Sequence, residues 1–233
     1  MAESEVIKAM QARFRAGLKT RILAFGSSNT EHFLPGMHWF DVFELAIRNT
    51  YGRPHTCINT GIGGHTTFDL LARFEDDAAF YRPHLVFITI GGNDCNPVKN
   101  LSREQFERNL FELHRRFSNM GCAVVFQTYY APDPARNGDL GPFYANMDTV
   151  RRVAAETKAG LVDHLVRWEA FRKAHPDRYL LLMQDGFHVN HRGNTVMGVD
   201  IGRAFGAPVA PDASGLWDEA LDIQQRMDAL CAG

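Results

Sequence analysis

The chain has 233 residues, and its 25 Lys and Arg nearly balance its 27 Asp and Glu, giving a formal net charge of −2. This balance removes the electrostatic case for binding nucleic acid or an anionic membrane surface. Hydrophobic residues make up 45% and charged residues 22%, which excludes a disordered or collagen-like chain, and the longest strongly apolar run, Leu85–Ile90, is far shorter than the roughly 20 residues that span a membrane.

Helices and strands alternate along the chain. Apolar residues recurring every three or four positions predict helices, and short apolar runs without alternation predict strands that are buried on both faces. The predicted elements are a helix over 4–18, a strand over 21–25, a helix around 39–47, a strand over 56–59, a helix from about 70 to 80, a strand over 85–90, a helix behind the capping box Ser102–Gln105, a strand over 122–127, a helix around 143–154, a strand over 160–162, a helix over 192–205 and a C-terminal helix over 214–230. This order predicts an α/β fold with a parallel sheet between two helix layers.

The domain organisation follows from the absence of internal repeats and long linkers in the sequence. We expect one domain over residues 1–233, with the helices over 4–18 and 214–230 as appendages. The apolar stripe of the last helix favours packing within the domain, and a homo-oligomer contact is the alternative. Its residues are Leu216, Ala220, Ile223, Met227 and Leu230.

Location and redox state are predicted from the N-terminal segment and the cysteines. Residues 1–17 mix both charges and lack the apolar core of a secretory signal. Cys57, Cys95, Cys122 and Cys231 form no CxxC pair, so a zinc or redox motif is not predicted. We therefore expect a reduced, cytoplasmic protein without a membrane partner.

Three polar, Gly-rich loops follow predicted strands, after Phe25, Asn59 and Ile90. In parallel sheets such loops meet at the carboxyl edge, where ligands bind. A fourth segment, Asp185-Gly-Phe-His188, lies near the end of the chain. An Asp three residues before a His can turn back onto the imidazole Nδ1–H, leaving Nε2 free to act as a base. A serine, an oriented histidine and oxyanion donors are what acyl transfer requires.

These four blocks, in this order, resemble the SGNH or GDSL-type serine esterase family. Gly26-Ser-Ser-Asn-Thr30 is similar to the family pattern Gly-Asp-Ser-x-Thr, and the alignment makes Ser28 the nucleophile. The resemblance further implies Asp185 and His188 as the other members of the triad.

The oxyanion hole is also implied by the resemblance. In Asn59-Thr-Gly-Ile-Gly-Gly-His-Thr66, Gly64 matches the family's oxyanion glycine, and in Gly91-Gly-Asn-Asp94, Asn93 matches its oxyanion asparagine. The backbone N–H of Ser28 is the third donor.

The resemblance implies a flavodoxin-like, three-layer α/β/α fold with a parallel sheet of about five strands. It implies metal-free ester hydrolysis without a cofactor, on a small-molecule acyl ester. The layout from Asn59 to Asn93 is most similar to small microbial acetylxylan-type esterases, which implies removal of acetyl groups from a carbohydrate.

The sequence departs from the family pattern at two positions. Ser27 stands where the family has an Asp that helps to hold the turn, which leaves two adjacent serines. His65 stands beside the oxyanion glycine, where Asp or Asn is common. If the alignment is right, Ser27 is buried against the local backbone and Ser28 is the reactive residue.

Other functions remain open at this point. The same triad could serve a thioesterase or a lysophospholipase, and the same fold could serve as a non-catalytic ligand-binding module. Asp185, His188 and His191 have a spacing that could ligate a metal, but no further Cys or His pair accompanies them, so we predict no metal. The pattern G-x-G-x-x-G of dinucleotide sites fails at Thr66.

Overall fold

The computed structural model describes residues 4–209, 215 and 217–232. The described part contains five strands, ten α-helices and two short 3-10 helices. In chain order these are α1 (Glu5–Arg15), β1 (Thr20–Gly26), α2 (Trp39–Tyr51), β2 (His55–Asn59), α3 (Thr67–Ala72), α4 (Phe74–Asp77), a 3-10 helix (Ala79–Tyr81), β3 (Leu85–Thr89), a 3-10 helix (Pro97–Lys99), α5 (Arg103–Asn119), β4 (Ala123–Gln127), α6 (Gly141–Thr157), β5 (Gly160–Val162), α7 (His164–Ala174), α8 (Pro176–Leu180), α9 (His191–Ala204) and α10 (Asp218–Cys231).

The chain divides into two compact units. The first, called the sheet unit, comprises Met1–His32, Arg53–Thr128 and Leu140–Val162. The second, called the helical unit, comprises Phe33–Gly52, Tyr129–Asp139 and Asp163–Gly233. A single domain over 1–233 stays a prediction.

All five strands belong to the sheet unit and form one parallel sheet in the order β2-β1-β3-β4-β5. This is the flavodoxin-like order, which confirms the predicted fold class. The central strands β1 and β3 are buried nearly throughout, which explains their uninterrupted apolar sequences. The order reverses between β1 and β3, so the loops after these strands begin at the point where such sheets bind ligands.

Helices of the sheet unit pack on its strands through apolar faces. α1 and α6 contact β4 and β5, and α5 contacts β4. The predicted capping box begins α5: Gln105 N donates to Ser102 Oγ (3.2 Å) and Ser102 N donates to Gln105 Oε1 (3.1 Å). The buried side chains of α5 are Phe106, Leu110, Leu113 and Phe117, as the spacing predicts.

The helix predicted from about 70 to 80 is interrupted. α3 ends before Arg73, α4 is a single turn, and a 3-10 helix follows. The backbone leaves helical geometry at Arg73 (φ −98°, ψ 13°) and at Ala78 (φ −132°, ψ −61°). The first break lies where the Arg73 side chain reaches back to the carboxyl ends of β1 and β2.

The helical unit contains α2 and α7 to α10. α9 packs against α2 and α10, and α7 packs against α8 and α10. α7 and α8 were not predicted from the sequence. The predicted stripe of α10 is buried at Ala220, Ile223 and Met227 but not at Leu230, which is 40% exposed near the end of the helix, and residues 214 and 216 lie outside the described residues. No described helix is long and apolar enough to span a membrane.

Candidate active site

Ser28 lies in a tight turn directly after β1. The carbonyl of Ser27 accepts hydrogen bonds from Thr30 N and Glu31 N, both at 2.9 Å. Ser27 is 1% exposed, whereas Ser28 is half-buried. This difference in burial agrees with the expectation that Ser27 faces the protein and favours Ser28 as the serine that a substrate reaches.

The loop after β2 is hydrogen-bonded to the turn that carries Ser28. Ile62 N donates to Gly26 O (3.2 Å) and Gly63 N donates to Glu31 Oε2 (3.0 Å). A Cβ on Gly61 would lie 2.3 Å from Glu31 N, so only glycine permits this close approach. The second loop therefore lies directly against the serine turn.

Gly64 occupies an exposed position with φ of +76° in this second loop. A Cβ there would meet no atom within 4 Å, so the requirement for glycine is conformational and not one of space. In this conformation the loop continues into α3, which begins with the capping box of Thr66 and Asp69.

The loop after β3 joins the other two. Asn93 Nδ2 donates to the carbonyl of His65 at 2.9 Å, immediately after Gly64. A side-chain amide carries two N–H donors, so this bond orients the group while its second hydrogen can serve an oxyanion. The predicted meeting of the three loops at one edge of the sheet is therefore observed in the sheet unit.

Asp94 is a buried carboxylate at the same edge. Its Oδ1 accepts hydrogen bonds from Thr67 N (2.8 Å) and Thr67 Oγ1 (2.6 Å), and Asn109 Nδ2 donates to Thr67 Oγ1 at 3.0 Å. Its Oδ2 is buried and has no hydrogen-bond partner among the described residues. Burial raises the pKa of Asp94 to about 6, although the bonds from Thr67 act in the opposite direction.

His65 lies in the loop after β2, with its Nδ1 buried and without a hydrogen-bond partner in the described part of the chain. Burial lowers its pKa, and the charge of Arg73 lowers it further. Both effects favour the neutral imidazole.

In the helical unit, Asp185 and His188 form the pair that their spacing predicts. His188 Nδ1 lies 2.9 Å from Asp185 Oδ2. Asp185 Oδ1 accepts hydrogen bonds from the backbone N–H groups of Phe187 and His188, both at 2.7 Å. Burial raises the pKa of Asp185, but these hydrogen bonds more than offset it, so the pKa lies below its ordinary value and the carboxylate stays ionised.

The segment 129–139 holds the loop that carries this pair. Tyr130 Oη donates to Phe187 O (2.6 Å) and accepts from Val189 N (3.2 Å). Asp133 N (2.8 Å) and Asn137 Nδ2 (2.6 Å) both donate to the carbonyl of Gly186. In the sequence Tyr130 is only an aromatic residue after a predicted strand, and no pattern points to Asn137.

Two phenylalanine rings flank His188. The ring of Phe33 meets the imidazole edge to face at 6.3 Å, and the ring of Phe187 lies 5.9 Å from it. Phe33 is 53% exposed, so it stands in the solvent beside the imidazole. Sequence reasoning missed Phe33, because no spacing connects it with His188.

The predicted site residues thus fall into two groups. Ser28, Gly64 and Asn93 belong to the sheet unit, and Asp185 and His188 belong to the helical unit. Within the described residues, no group of three or more His, Cys, Asp or Glu side chains is arranged to hold a metal ion, including Asp185, His188 and His191.

Comparison with known proteins identifies the family to which the chain is similar. A model described as the GDSL-like lipase/acylhydrolase family matches residues 24–196, a range that contains all four predicted sequence blocks. A Bacillus subtilis protein named uncharacterized lipoprotein YqeF is 30% identical over 150 residues, which are 60% of this chain and 59% of that protein. The match thus spans less than two thirds of the relative, and a cytoplasmic location stays a prediction.

Solved structures share the fold at low identity. The acetyl xylan esterase AlAXEase is 20% identical and superposes with a TM-score of 0.71, covering 79% of this chain and 98% of that one. Axe2, an acetylxylan esterase from Geobacillus stearothermophilus, is 21% identical with a TM-score of 0.69, covering 82% and 96%.

Proposed function

Because the chain belongs to the GDSL-like lipase/acylhydrolase family, we propose that it is a serine hydrolase of short-chain acyl esters, with Ser28, His188 and Asp185 as its catalytic triad. The observation that carries the proposal is the hydrogen bond between His188 Nδ1 and Asp185 Oδ2. It fixes the tautomer in which Nε2 is the basic nitrogen, and the ionised carboxylate stabilises the imidazolium that forms during the reaction.

In the proposed mechanism, Ser28 Oγ attacks the ester carbonyl while His188 Nε2 removes the hydroxyl proton. The oxyanion is stabilised by the backbone N–H groups of Ser28 and Gly64 and by the Asn93 amide. The imidazolium then gives its proton to the leaving alcohol, and an acyl-serine remains. A water molecule, deprotonated by His188, attacks this acyl-serine, and the acid and the free serine are released.

We propose acetyl groups on a carbohydrate as the natural substrate. The support is the likeness of fold to two proteins whose names describe acetylxylan esterases. The exposed ring of Phe33 beside His188 suits a sugar leaving group, because apolar ring faces stack on sugars.

The test uses a fluorophosphonate, which labels activated serines covalently, followed by peptide mapping. We expect one adduct, on Ser28. Ser28→Ala should abolish both labelling and turnover of p-nitrophenyl acetate. The matched control is the neighbouring Ser27→Ala, which should keep both. An adduct on Ser27, or an unlabelled wild-type protein, would contradict the proposal.

A further inference from the structure

Arg73 connects the carboxyl ends of β1 and β2. Its side chain is 11% exposed and its guanidinium lies 4.5 Å above the ring of Phe25. Nη2 donates to Gly26 O (2.9 Å) and Nη1 donates to Thr60 O (2.6 Å). Nη1 also contacts Asp77 Oδ2 at 3.0 Å, which supplies a counter-charge.

The two carbonyls bound by Arg73 lie directly before the loops of the candidate site. Gly26 is the last residue of β1, two positions before Ser28. Thr60 follows β2, four positions before Gly64. The guanidinium of Arg73 therefore fixes the start of the turn that carries Ser28 relative to the start of the loop that carries Gly64.

The chemistry of this contact requires arginine. The guanidinium presents several N–H donors in a rigid plane, so it can bind two carbonyls and a carboxylate at once while stacking on an aromatic ring. A lysine ammonium has neither the planar face nor the fixed fork. Burial lowers the pKa of Arg73 and the hydrogen bond and charge of Asp77 raise it, but a guanidinium remains protonated in either case.

We propose that Arg73 is a positioning residue, which holds the serine turn and the Gly64 loop at the separation that acyl transfer requires. The inference rests on the proposed function for its catalytic consequence. Arg73 contacts backbone carbonyls and not the reacting atoms, so its effect passes through Ser28 and Gly64. A misplacement of about 1 Å in such a site can cost on the order of 10²-fold in rate.

The chain offers a matched control in Arg116. Its guanidinium also lies over a phenylalanine, Phe74, at 5.4 Å, and its Nη1 also donates to a backbone carbonyl, Leu71 O, at 3.3 Å. It is paired with Glu112 and has no hydrogen bond to the loops after β1 and β2. Arg116→Ala therefore removes the same kind of contacts elsewhere in the sheet unit.

The kinetic test compares Arg73→Ala, Arg73→Lys and Arg116→Ala on p-nitrophenyl acetate, at a temperature at which circular dichroism shows each variant folded. For Arg73→Ala we expect kcat to fall on the order of 10²-fold with little change in KM. Arg73→Lys should recover only part of this loss, and Arg116→Ala should match the wild type. A guanidinium salt, far below denaturing concentrations, should partly restore kcat in Arg73→Ala and leave Arg116→Ala unchanged.

Two results would overturn the inference. One is an Arg73→Ala variant whose kcat equals that of Arg116→Ala. The other is a fall in kcat in the folded Arg73→Ala variant that a guanidinium salt does not reverse.

A second measurement separates this inference from the proposed function. Hydrogen exchange, followed by mass spectrometry, should be faster in Arg73→Ala than in Arg116→Ala in the peptides covering 26–31 and 60–66. Unchanged exchange in both peptides would refute the positioning role. If the wild-type protein hydrolyses no ester while the two variants still differ in exchange, the proposed function is refuted. Arg73 then remains the residue that joins the two loops.

Discussion

The buried carboxyl of Asp94 makes the stability of the protein depend on pH in a predictable direction. Its pKa is raised from the ordinary 3.8 to about 6 in the folded state. Between these values the folded state holds a proton that the unfolded state has released, so stability falls as the pH rises. At 1.36 kcal/mol per pKa unit the full effect is about 3 kcal/mol, of which about 2 kcal/mol lies between roughly pH 4.5 and 8.

The perturbation is Asp94→Asn, which cannot ionise. Its Oδ1 can still accept the bonds from Thr67, and its amide nitrogen takes the position of the buried Oδ2 at a cost that is the same at every pH. The difference in unfolding free energy between variant and wild type should therefore shift by about 2 kcal/mol in favour of the variant as the pH rises over this range.

The assay is urea unfolding followed by tryptophan fluorescence at several pH values. Asp222→Asn is the control: hydrogen bonds from Arg226 and Arg178 hold the Asp222 pKa below its ordinary value, and Asp222 belongs to the helical unit and not to the surroundings of Asp94. The difference in unfolding free energy between this variant and the wild type should be constant above about pH 5, since the pKa of the carboxyl lies below that pH in both the folded and the unfolded state. An Asp94→Asn difference that is equally flat would refute the reasoning, because it would mean that Asp94 titrates alike in the folded and unfolded chains.

Three further predictions concern the proposed reaction. Asp185→Asn should leave the far-UV circular dichroism unchanged and reduce kcat by about 10⁴-fold, because the amide favours the wrong tautomer of His188; near-normal turnover would remove Asp185 from the mechanism. Exhaustive chelation should not change the rate, and a loss restored by Zn²⁺ would instead favour the metal alternative at His191. Acetyl and butyryl esters should be cleaved well and esters of about ten or more carbons poorly, since the sequence has no long apolar segment to cover a fatty chain, whereas a rate that rises steadily with chain length would indicate a lipase.

The sheet could be predicted from the sequence because its signal is local. Buried parallel strands have to be apolar on both faces, and the runs around Phe25 and Phe87 meet that condition over consecutive residues. The order of the strands was implied only by the family resemblance, because crossover connections between parallel strands permit more than one order. The family resemblance added the expected family, and the match of the family model to residues 24–196 confirms it.

Two helices were missed for an equally local reason. In α7 the buried residues Leu165, Trp168 and Phe171 recur strictly every three positions, and charged residues stand between them. A strict spacing of three drifts around a helix with 3.6 residues per turn, so no single apolar stripe forms. α8 has five residues, too few to show a period, although Pro176 at its start is typical of a first helical turn.

The contacts that hold the candidate site could not be predicted, because they join residues far apart in the sequence. Arg73 lies in an apparently continuous helical pattern, and its bond to Gly26 spans 47 positions. Asp94 has the sequence context of a turn or cap residue, and only its burial shows that its proton matters for stability. In the sequence Tyr130 is likewise only an aromatic residue after a strand. The structure shows its hydroxyl bound between Phe187 O and Val189 N.

The departure at Ser27 is explained by the way in which the turn is held. The resemblance implies that the family's Asp at this position stabilises the turn through its side chain. Here the carbonyl of Ser27 accepts two backbone hydrogen bonds, and the preceding carbonyl of Gly26 accepts two more, from Ile62 N and Arg73 Nη2. None of these four bonds depends on the side chain at position 27. The turn that presents Ser28 is therefore held by backbone bonds that do not require an acid at position 27, and the neighbouring loop and Arg73 supply two of them.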